Sequence, residues 1–184
     1  MTRSLHVRLA TPSDAAPLAR MGGYLFAQAF AAQNTVENMR AYLEHAFSVE
    51  NQERELRDRN MRTWIAEDAD GTAIGYAQLR LGAEPEGLSL ANPSELARIY
   101  TDAAWHGQGV GARLLAQVVD TARAWGSAAL WLGVWKENPR GIAFYQKHGF
   151  RIAGEQTFRL GTDPQHDWIM VRGLSNDQPS PATR

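Results

Sequence analysis

Apolar residues recur along this chain with two periods, one of two residues and one of about three and a half, and these periods predict strands and helices respectively. Residues 5–9 alternate apolar with polar and predict a first strand. Apolar residues at helical spacing predict a helix over residues 11–32 and a second over residues 34–47. Residues 50–59 predict a third helix, whose mixed charges are expected to face solvent.

The second half of the chain is richer in strand patterns. Strands are predicted at residues 63–68, 73–81, 95–101, 128–134, 151–160 and 168–171. Ala69-Asp70-Gly71 predicts a hairpin turn between the first two of these strands. An apolar stripe from Val110 to Ala122 predicts a helix between the strands at 95–101 and 128–134, which indicates a parallel crossover. Asn138-Pro139 has the composition of a further helix start.

A glycine-rich turn joins the strand at residues 95–101 to the helix that follows it. Gly107, Gly109 and Gly111 remove side chains from this turn, so the first N–H groups of the helix can approach an anion closely. The positive end of the helix dipole lies behind those groups. A pyrophosphate is therefore the ligand that such a turn is expected to bind.

Other nucleotide-binding folds also have glycine-rich turns, and the spacing of the glycines discriminates among them. The dinucleotide fingerprint needs its third glycine three residues after its second, whereas Gly111 comes two residues after Gly109 and Ala112 follows. The phosphate loop of nucleotide hydrolases needs Gly-Lys-Ser/Thr, which this turn lacks. Neither of these two interpretations fits the sequence.

The run His106-Gly107-Gln108-Gly109-Val110-Gly111 resembles motif A of the GNAT acetyltransferases, an Arg/Gln-x-x-Gly-x-Gly/Ala loop that holds the pyrophosphate of coenzyme A. His106 stands where the family has Arg or Gln. Residues 130–138 and 143–150 resemble the family's fifth strand with its Asn-containing turn and its Tyr-bearing helix. Two separate motifs in the family's order make a chance match improbable.

The resemblance implies an α/β (α+β) GNAT acyl-CoA N-acyltransferase fold, with a central mixed twisted sheet of about six to seven strands flanked by about four to five helices. One N-acetyltransferase domain is expected over residues 1–174, followed by a flexible tail over residues 175–184. The implied activity is acetyl transfer from acetyl-CoA, used as a co-substrate, to a primary amine. No metal is expected.

Family members assign roles to residues that this sequence retains. By resemblance, Tyr145 is the acid that meets the departing thiolate, and Asn138 is a ligand of the pantetheine or carbonyl region as well as a helix cap. The pantetheine arm is expected along the backbone of Ile99, Tyr100 and Thr101. The pyrophosphate is expected at the backbone of the turn, which comprises Gly107, Gln108, Gly109, Val110, Gly111 and Ala112.

An alkyl ammonium, with a pKa of about 10.4 in lysine, must lose a proton before it can attack a thioester, so a general base is expected. Glu95, at the head of the fourth strand, is the candidate, Glu137 is a weaker one, and a water chain is the alternative. Family members that acetylate protein N-termini place a Glu twelve residues before the Tyr, and that position here is Gly133. This difference argues against their substrate.

The composition of the chain argues against several other functions. The 184 residues have a formal net charge of −1 and include no cysteine, which gives no electrostatic case for a nucleic-acid partner and excludes an acyl-cysteine mechanism. The histidines lack metal-ligand spacing. No stretch approaches the eighteen apolar residues of a membrane span, so a cytoplasmic protein without a membrane partner is expected. A homodimer is compatible with the sequence.

The acceptor is best approached through a resemblance that covers residues 5–172, to the bacterial spermidine/spermine N-acetyltransferases also described as negative regulators of protease synthesis and sporulation. This resemblance implies a small-molecule amine substrate, such as spermidine or spermine. Acids and aromatic walls for it are expected from the first two helices, at Tyr24, Phe30, Glu37, Tyr42 and Glu44. Two alternatives stay open, an acetyltransferase for peptides or antibiotics and a non-catalytic regulator that binds coenzyme A.

Overall fold

A computed structural model describes residues 5–174, which form one mixed seven-stranded sheet and five helices longer than one turn. The strands are β1 (His6–Leu9), β2 (Met61–Glu67), β3 (Ala73–Leu81), β4 (Pro93–Thr101), β5 (Ala129–Trp135), β6 (Arg151–Leu160) and β7 (Asp163–Gly173). The helices are α1 (Ala15–Phe30), α2 (Val36–Ala46), α3 (Val49–Arg57), α4 (Val110–Trp125) and α5 (Pro139–Lys147). The predicted fold class is confirmed. The predicted tail at residues 175–184 lies outside the described residues.

The sheet has the strand order β1-β2-β3-β4-β5-β7-β6. Every neighbouring pair is antiparallel except β4 and β5, which are parallel and joined through α4. The hairpin predicted at residues 69–71 joins β2 to β3, with Gly71 at a φ of 78°. The inserted strand β7 pairs along its length with both β5 and β6.

Each face of the sheet has its own apolar core. On one face, α4 packs against the central strands and buries the six residues of its predicted stripe, which are Val110, Leu114, Leu115, Val118, Val119 and Ala122. Burying one such side chain stabilises a fold by about 1.5–3 kcal/mol. On the other face, α1, α2 and α3 cover residues that include Ile65, Tyr76 and Leu160.

Glycine fixes both ends of α4. Gly109 precedes the helix with a φ of 83°, and Gly126 ends it with a φ of 93° and donates to the carbonyl oxygens of Ala122 and Arg123. Both backbone conformations lie in the left-handed region, where a side chain costs about 1–2 kcal/mol. The turn between β4 and α4 is thus set by glycine conformation, as the sequence indicates.

Three predicted features need correction. The first helix ends at Phe30 and continues only as a 3-10 turn over Ala31–Gln33. The last strand begins at Asp163 rather than at residue 168, because polar residues also pair on it. The charged residues of α3 do not all face solvent, since Glu55 is buried against the sheet.

Candidate active site

The parallel strands β4 and β5 separate part-way along their length, and this separation opens a cleft. Their ladder covers only three residue pairs, the last of which joins Glu95 to Trp131. Beyond that point β4 still pairs with β3, and β5 still pairs with β7. Residues 96–101 of β4 therefore present one backbone edge that pairs with none of the described strands.

The cleft has a volume of about 580 Å³, which lies within the usual range for small-molecule sites. The separated strands line it with residues 96–101 and with Gly133, Val134 and Trp135. The N-terminal part of α5 forms one wall, and aromatic side chains from α1, α2 and β6 form another. The cleft thus reaches from the α4–α5 side of the sheet to the α1–α2 side.

Tyr145 extends into this cleft from α5. Its ring packs against Phe144 and Phe150, with ring centroids 5.4 Å and 5.8 Å away. Burial raises the pKa of the Tyr145 phenol above its ordinary value of about 10, so the hydroxyl keeps its proton at physiological pH. Chemically, this group can donate a proton but cannot accept one.

Asn138 caps α5 and also lines the cleft. Its side-chain oxygen accepts a hydrogen bond from the N–H of Gly141 at 2.9 Å, and Pro139 follows in the first turn of the helix. The cap fixes the start of the helix that positions Tyr145. Among residues 5–174, the side-chain nitrogen of Asn138 donates to no acceptor.

The turn before α4 has the geometry of an anion cradle. The first backbone bond of α4 runs from the N–H of Arg113 to the carbonyl of Gly109, so among the described residues the N–H groups of residues 109–112 meet no acceptor. A Cβ at Gly107 or Gly109 would have no atom within 4 Å, which shows that the space over the turn is open. The Nε2 of His106 lies 3.1 Å from the carbonyl oxygen of Thr101, so this side chain fastens the turn to β4.

Glu95 lies at the point where the strands separate, and it is not a free carboxylate. Its Oε2 accepts from Nη1 of Arg80 at 2.6 Å. Burial raises the pKa of the Glu95 carboxyl, while the charge of Arg80 lowers it. The predicted base is thus in the cleft, but it is already paired with a cation.

Residues 27–150, about two thirds of the chain, match the family model described as the acetyltransferase (GNAT) family. The chain belongs to the GNAT acetyltransferase family. A GNAT protein of Mycobacterium tuberculosis, named only as an uncharacterized N-acetyltransferase, is 41% identical over 105 residues. That match covers 57% of this chain and 63% of the relative. The chain therefore matches less than two thirds of that relative's length.

Two of the relatives have names that state a small-molecule acceptor. Streptothricin acetyltransferase of Streptomyces lavendulae is 31% identical over 100 residues, 54% of this chain and 50% of that protein. Spermidine N(1)-acetyltransferase of Thermoplasma acidophilum is 30% identical over 84 residues, 46% of this chain and 47% of that protein. These two GNAT relatives are nearly equally similar to the chain, so similarity alone does not choose between their substrates.

The fold is shared with solved GNAT structures. The structure of the PaiA N-acetyltransferase from Thermoplasma acidophilum in complex with coenzyme A has a TM-score of 0.75 and 24% sequence identity to this chain. The match covers 92% of this chain and 99% of that one. At this identity, the likeness supports the fold and not the substrate.

The amine-binding residues predicted from the first two helices separate into two groups in this GNAT chain. Phe30 and Tyr42 line the cleft. Tyr24, Glu37 and Glu44 are exposed and lie outside the cleft lining, because their positions place them on the solvent side of α1 and α2. The structure therefore does not bring these three side chains to the site.

The aromatic wall is larger than the sequence indicated. The Phe26 ring stacks on Tyr42 with centroids 4.6 Å apart, and Tyr42 also contacts Phe158 at 5.4 Å. Tyr100 meets Phe30 edge to face at 6.2 Å. Phe158 comes from β6. The pairing of β6 with β7 brings this ring to the aromatic wall, and the local sequence does not indicate it.

A carboxylate that sequence reasoning missed lies close to Gly133, diagonally across from it on the neighbouring strand. Asp167 of β7 and Gln156 of β6 both line the cleft and are neighbours in the sheet register. A Cβ at Gly133 would collide with Nε2 of Gln156 and come within 3.3 Å of Oδ2 of Asp167. The family's Glu position is thus empty of a side chain here, while an acid from the neighbouring strand approaches the same place. Among the described residues, no group of three His, Asp or Glu side chains is arranged to hold a metal ion.

Proposed function

We propose that this chain is an acetyl-CoA-dependent N-acetyltransferase that transfers acetyl to a small primary amine, with a polyamine such as spermidine or spermine as the best candidate. One observation supports this more than any other. The cleft between β4 and β5 joins the glycine turn side of the sheet to an aromatic, acid-containing pocket on the other side. A thioester and an amine can therefore meet from opposite faces of the sheet.

The chain's residues fit acetyl-CoA as a co-substrate. The free N–H groups of residues 109–112 are suited to a diphosphate, because the helix dipole reinforces them. The unpaired edge of β4 at Ile99, Tyr100 and Thr101 can bond an extended amide-bearing arm as a further strand would. When bound there, acetyl-CoA supplies an activated acyl group and a thiolate leaving group.

The proposed reaction is direct attack in a ternary complex. The amine first loses a proton to a base, and its nitrogen then attacks the thioester carbonyl carbon. The carbon–sulfur bond breaks, and the departing sulfur takes the proton of the Tyr145 hydroxyl. This role fits Tyr145 because burial keeps its hydroxyl protonated. Two carboxylates in the cleft lining, the half-buried Glu95 and the buried Asp167, are candidates for the base.

The pocket's chemistry favours a cationic amine with a hydrocarbon chain. Rings of Phe30, Tyr42 and Phe158 offer faces and edges to methylene groups and to ammonium groups. The Asp167 carboxylate lines the same cleft and favours a positively charged substrate. The resemblance to a spermidine N(1)-acetyltransferase supports a polyamine, and the resemblance to a streptothricin acetyltransferase supports an antibiotic amine as the second candidate.

The test is a measurement of coenzyme A release with the purified chain, acetyl-CoA and a panel of acceptors. The panel contains spermidine, spermine, streptothricin, a peptide with a free N-terminus and propylamine. We expect spermidine or spermine to give the highest kcat/KM. A rate for both that is no higher than the rate without acceptor would overturn the polyamine assignment. A preference for streptothricin or the peptide would replace it with the corresponding alternative.

A non-catalytic regulator is separated from an enzyme by the same preparation. Such a regulator would bind coenzyme A tightly and release none from acetyl-CoA with any acceptor of the panel. Calorimetric titration with coenzyme A measures the binding, and the release assay measures the turnover. Binding without turnover would overturn the proposed activity while leaving the cofactor site in place.

A further inference from the structure

Asp167 is a buried acid at the floor of the cleft. It lies on β7, between Trp135 of β5 and Gln156 of β6. The residue is only 8% exposed, and it lines the cleft. Its carboxylate is therefore accessible from the cleft and shielded from solvent elsewhere.

Asp167 differs from Glu95, in the same cleft, and from Glu55, buried against the sheet, because it has no cation partner among the described residues. Glu95 is paired with Arg80, and Glu55 is paired with Arg98. Among residues 5–174, no Lys, Arg or hydrogen-bond donor contacts the Asp167 carboxylate. Burial of an unpaired carboxylate is unfavourable, so such groups concentrate at functional sites.

Gly133 allows the side chains of Gln156 and Asp167 to approach the backbone of β5 closely. Trp131, Gly133 and Trp135 lie on the same face of β5, because successive residues of a strand face opposite sides. A Cβ at Gly133 would come within 3.3 Å of Oδ2 of Asp167. The same Cβ would collide with Nε2 of Gln156, so the absence of a side chain at Gly133 lets the Gln156 amide and the Asp167 carboxylate lie side by side against β5 in the cleft lining.

We propose that Asp167 is the general base that takes the proton from the acceptor ammonium. The inference rests on the proposed acetyl transfer. In the step, an N–H bond of the ammonium breaks, its electron pair stays on nitrogen, and the proton moves to an oxygen of Asp167. The neutral amine then attacks the thioester, and Tyr145 supplies the proton that the leaving sulfur takes.

The surroundings of Asp167 suit this role. Burial raises the pKa of its carboxyl to about 6, and the nearby His166 opposes this rise. Tyr42 of α2 lines the same cleft, and burial together with the charges of Glu55 and Asp167 raises the pKa of its phenol. The Lys136–Glu155 pair does not face Asp167, because Glu155 is opposite Trp168 in the register and so lies on the other face of the sheet. A base with a pKa close to neutrality is ionised at physiological pH and still holds a proton effectively. Glu95 is less suited, because its carboxylate is already paired with the Arg80 guanidinium at 2.6 Å.

The test compares the pH dependence of kcat/KM for the amine in the wild type and in three variants. Wild-type kcat/KM is expected to rise with pH through an ionisation near 6. Asp167→Asn is expected to lower kcat by 10²–10⁴-fold and to abolish that ionisation. Asp167→Glu is expected to restore part of the rate together with an ionisation. Glu95→Gln is expected to keep the ionisation, whatever its overall rate.

The matched control is Asp163→Asn, which makes the same change on the same strand outside the cleft lining. It is expected to keep the wild-type profile. Coenzyme A affinity and the unfolding midpoint of Asp167→Asn are measured first, so that a folding failure is recognised.

An inactive wild type would contradict the proposed function. If the wild type is active, the role of Asp167 would be overturned by an ionisation near pH 6 that persists in Asp167→Asn. It would also be overturned if only Glu95→Gln removed that ionisation. A raised KM with unchanged kcat in Asp167→Asn would also overturn it.

Discussion

The Glu55 carboxylate and the Arg98 guanidinium meet at 2.7 Å between α3 and the sheet, with only 11% and 14% of their side chains exposed. Gln78 connects to both, since its oxygen accepts from Arg98 at 2.9 Å and its nitrogen donates to Glu55 at 3.0 Å. Asn51 donates to the other oxygen of Glu55 at 3.1 Å. The pair therefore joins a helix to β3 and β4, and it fixes a strand that lines the cleft.

Glu55→Ala is expected to lower the free energy of unfolding by about 3–5 kcal/mol, because it leaves the Arg98 charge buried and unpaired. Urea unfolding followed by circular dichroism measures the change. Glu53→Ala is the matched control on the same helix, since Glu53 forms an exposed pair with Arg57. It is expected to cost at most about 1 kcal/mol. Equal losses of unfolding free energy in the two variants would show that the buried pair stabilises the fold no more than the exposed pair does.

Tyr76→Phe is expected to leave the stability unchanged or to raise it. The Tyr76 hydroxyl is buried without a hydrogen-bond partner among the described residues, and such a group costs about 1–3 kcal/mol. Thermal unfolding measures the effect. Tyr76→Leu, which removes ring volume, is expected to lower the melting temperature. A lower melting temperature for Tyr76→Phe would indicate that the hydroxyl has a stabilising partner, such as a buried water.

The periodic parts of the chain could be predicted from sequence. All six residues of the α4 stripe are buried, because one helix face alone decides that pattern. The glycine turn could also be predicted from sequence, because Gly109 takes a backbone conformation that other residues rarely adopt. These features depend on neighbours within a few residues.

The missed features depend on distant partners. Glu55 has the same polar sequence context as its exposed neighbours, and its partner Arg98 lies 43 residues away. Asp167 interrupts the apolar alternation of β7 because its face lines a cleft rather than a core, so the predicted strand started one residue too late to include it. Neither position carries a local signal, and only the sheet register places them.

Gly109→Ala is expected to destabilise the chain by about 1–2 kcal/mol, because its φ of 83° strains a side chain. Its methyl would also occupy the open space over the turn, so KM for acetyl-CoA should rise about tenfold. Gly126→Ala is the matched control at the other end of α4, with a φ of 93° and equally open surroundings. It should show the same destabilisation and an unchanged KM. Equal KM values for acetyl-CoA in Gly109→Ala and Gly126→Ala would contradict the binding of its pyrophosphate at this turn.

Tyr145→Phe is expected to lower kcat by about 10²–10³-fold with little change in either KM, because the thiolate then leaves without its proton donor. Tyr76→Phe, the same deletion outside the cleft lining, should retain the wild-type kcat. Burial raises the pKa of Tyr145 above about 10, so this group should cause no loss of activity as the pH rises to 10. A wild-type kcat in Tyr145→Phe would show that the thiolate leaves without a proton from Tyr145.

Asp167→Asn should make the chain more stable at neutral pH while it removes activity. The pKa of Asp167 is about 6 when folded and 3.8 in its reference state, so between these values the folded chain binds the proton and the unfolded chain does not. Wild-type stability from this group is therefore fully present below about pH 4 and is lost as the pH rises through 6, by about 2–3 kcal/mol. The variant lacks this dependence. Urea unfolding at pH 4, 5, 6 and 7.5 should show its advantage over wild type growing with pH, whereas Asp163→Asn should show none. An advantage that is equal at all four values would mean that Asp167 does not titrate as a buried, unpaired acid.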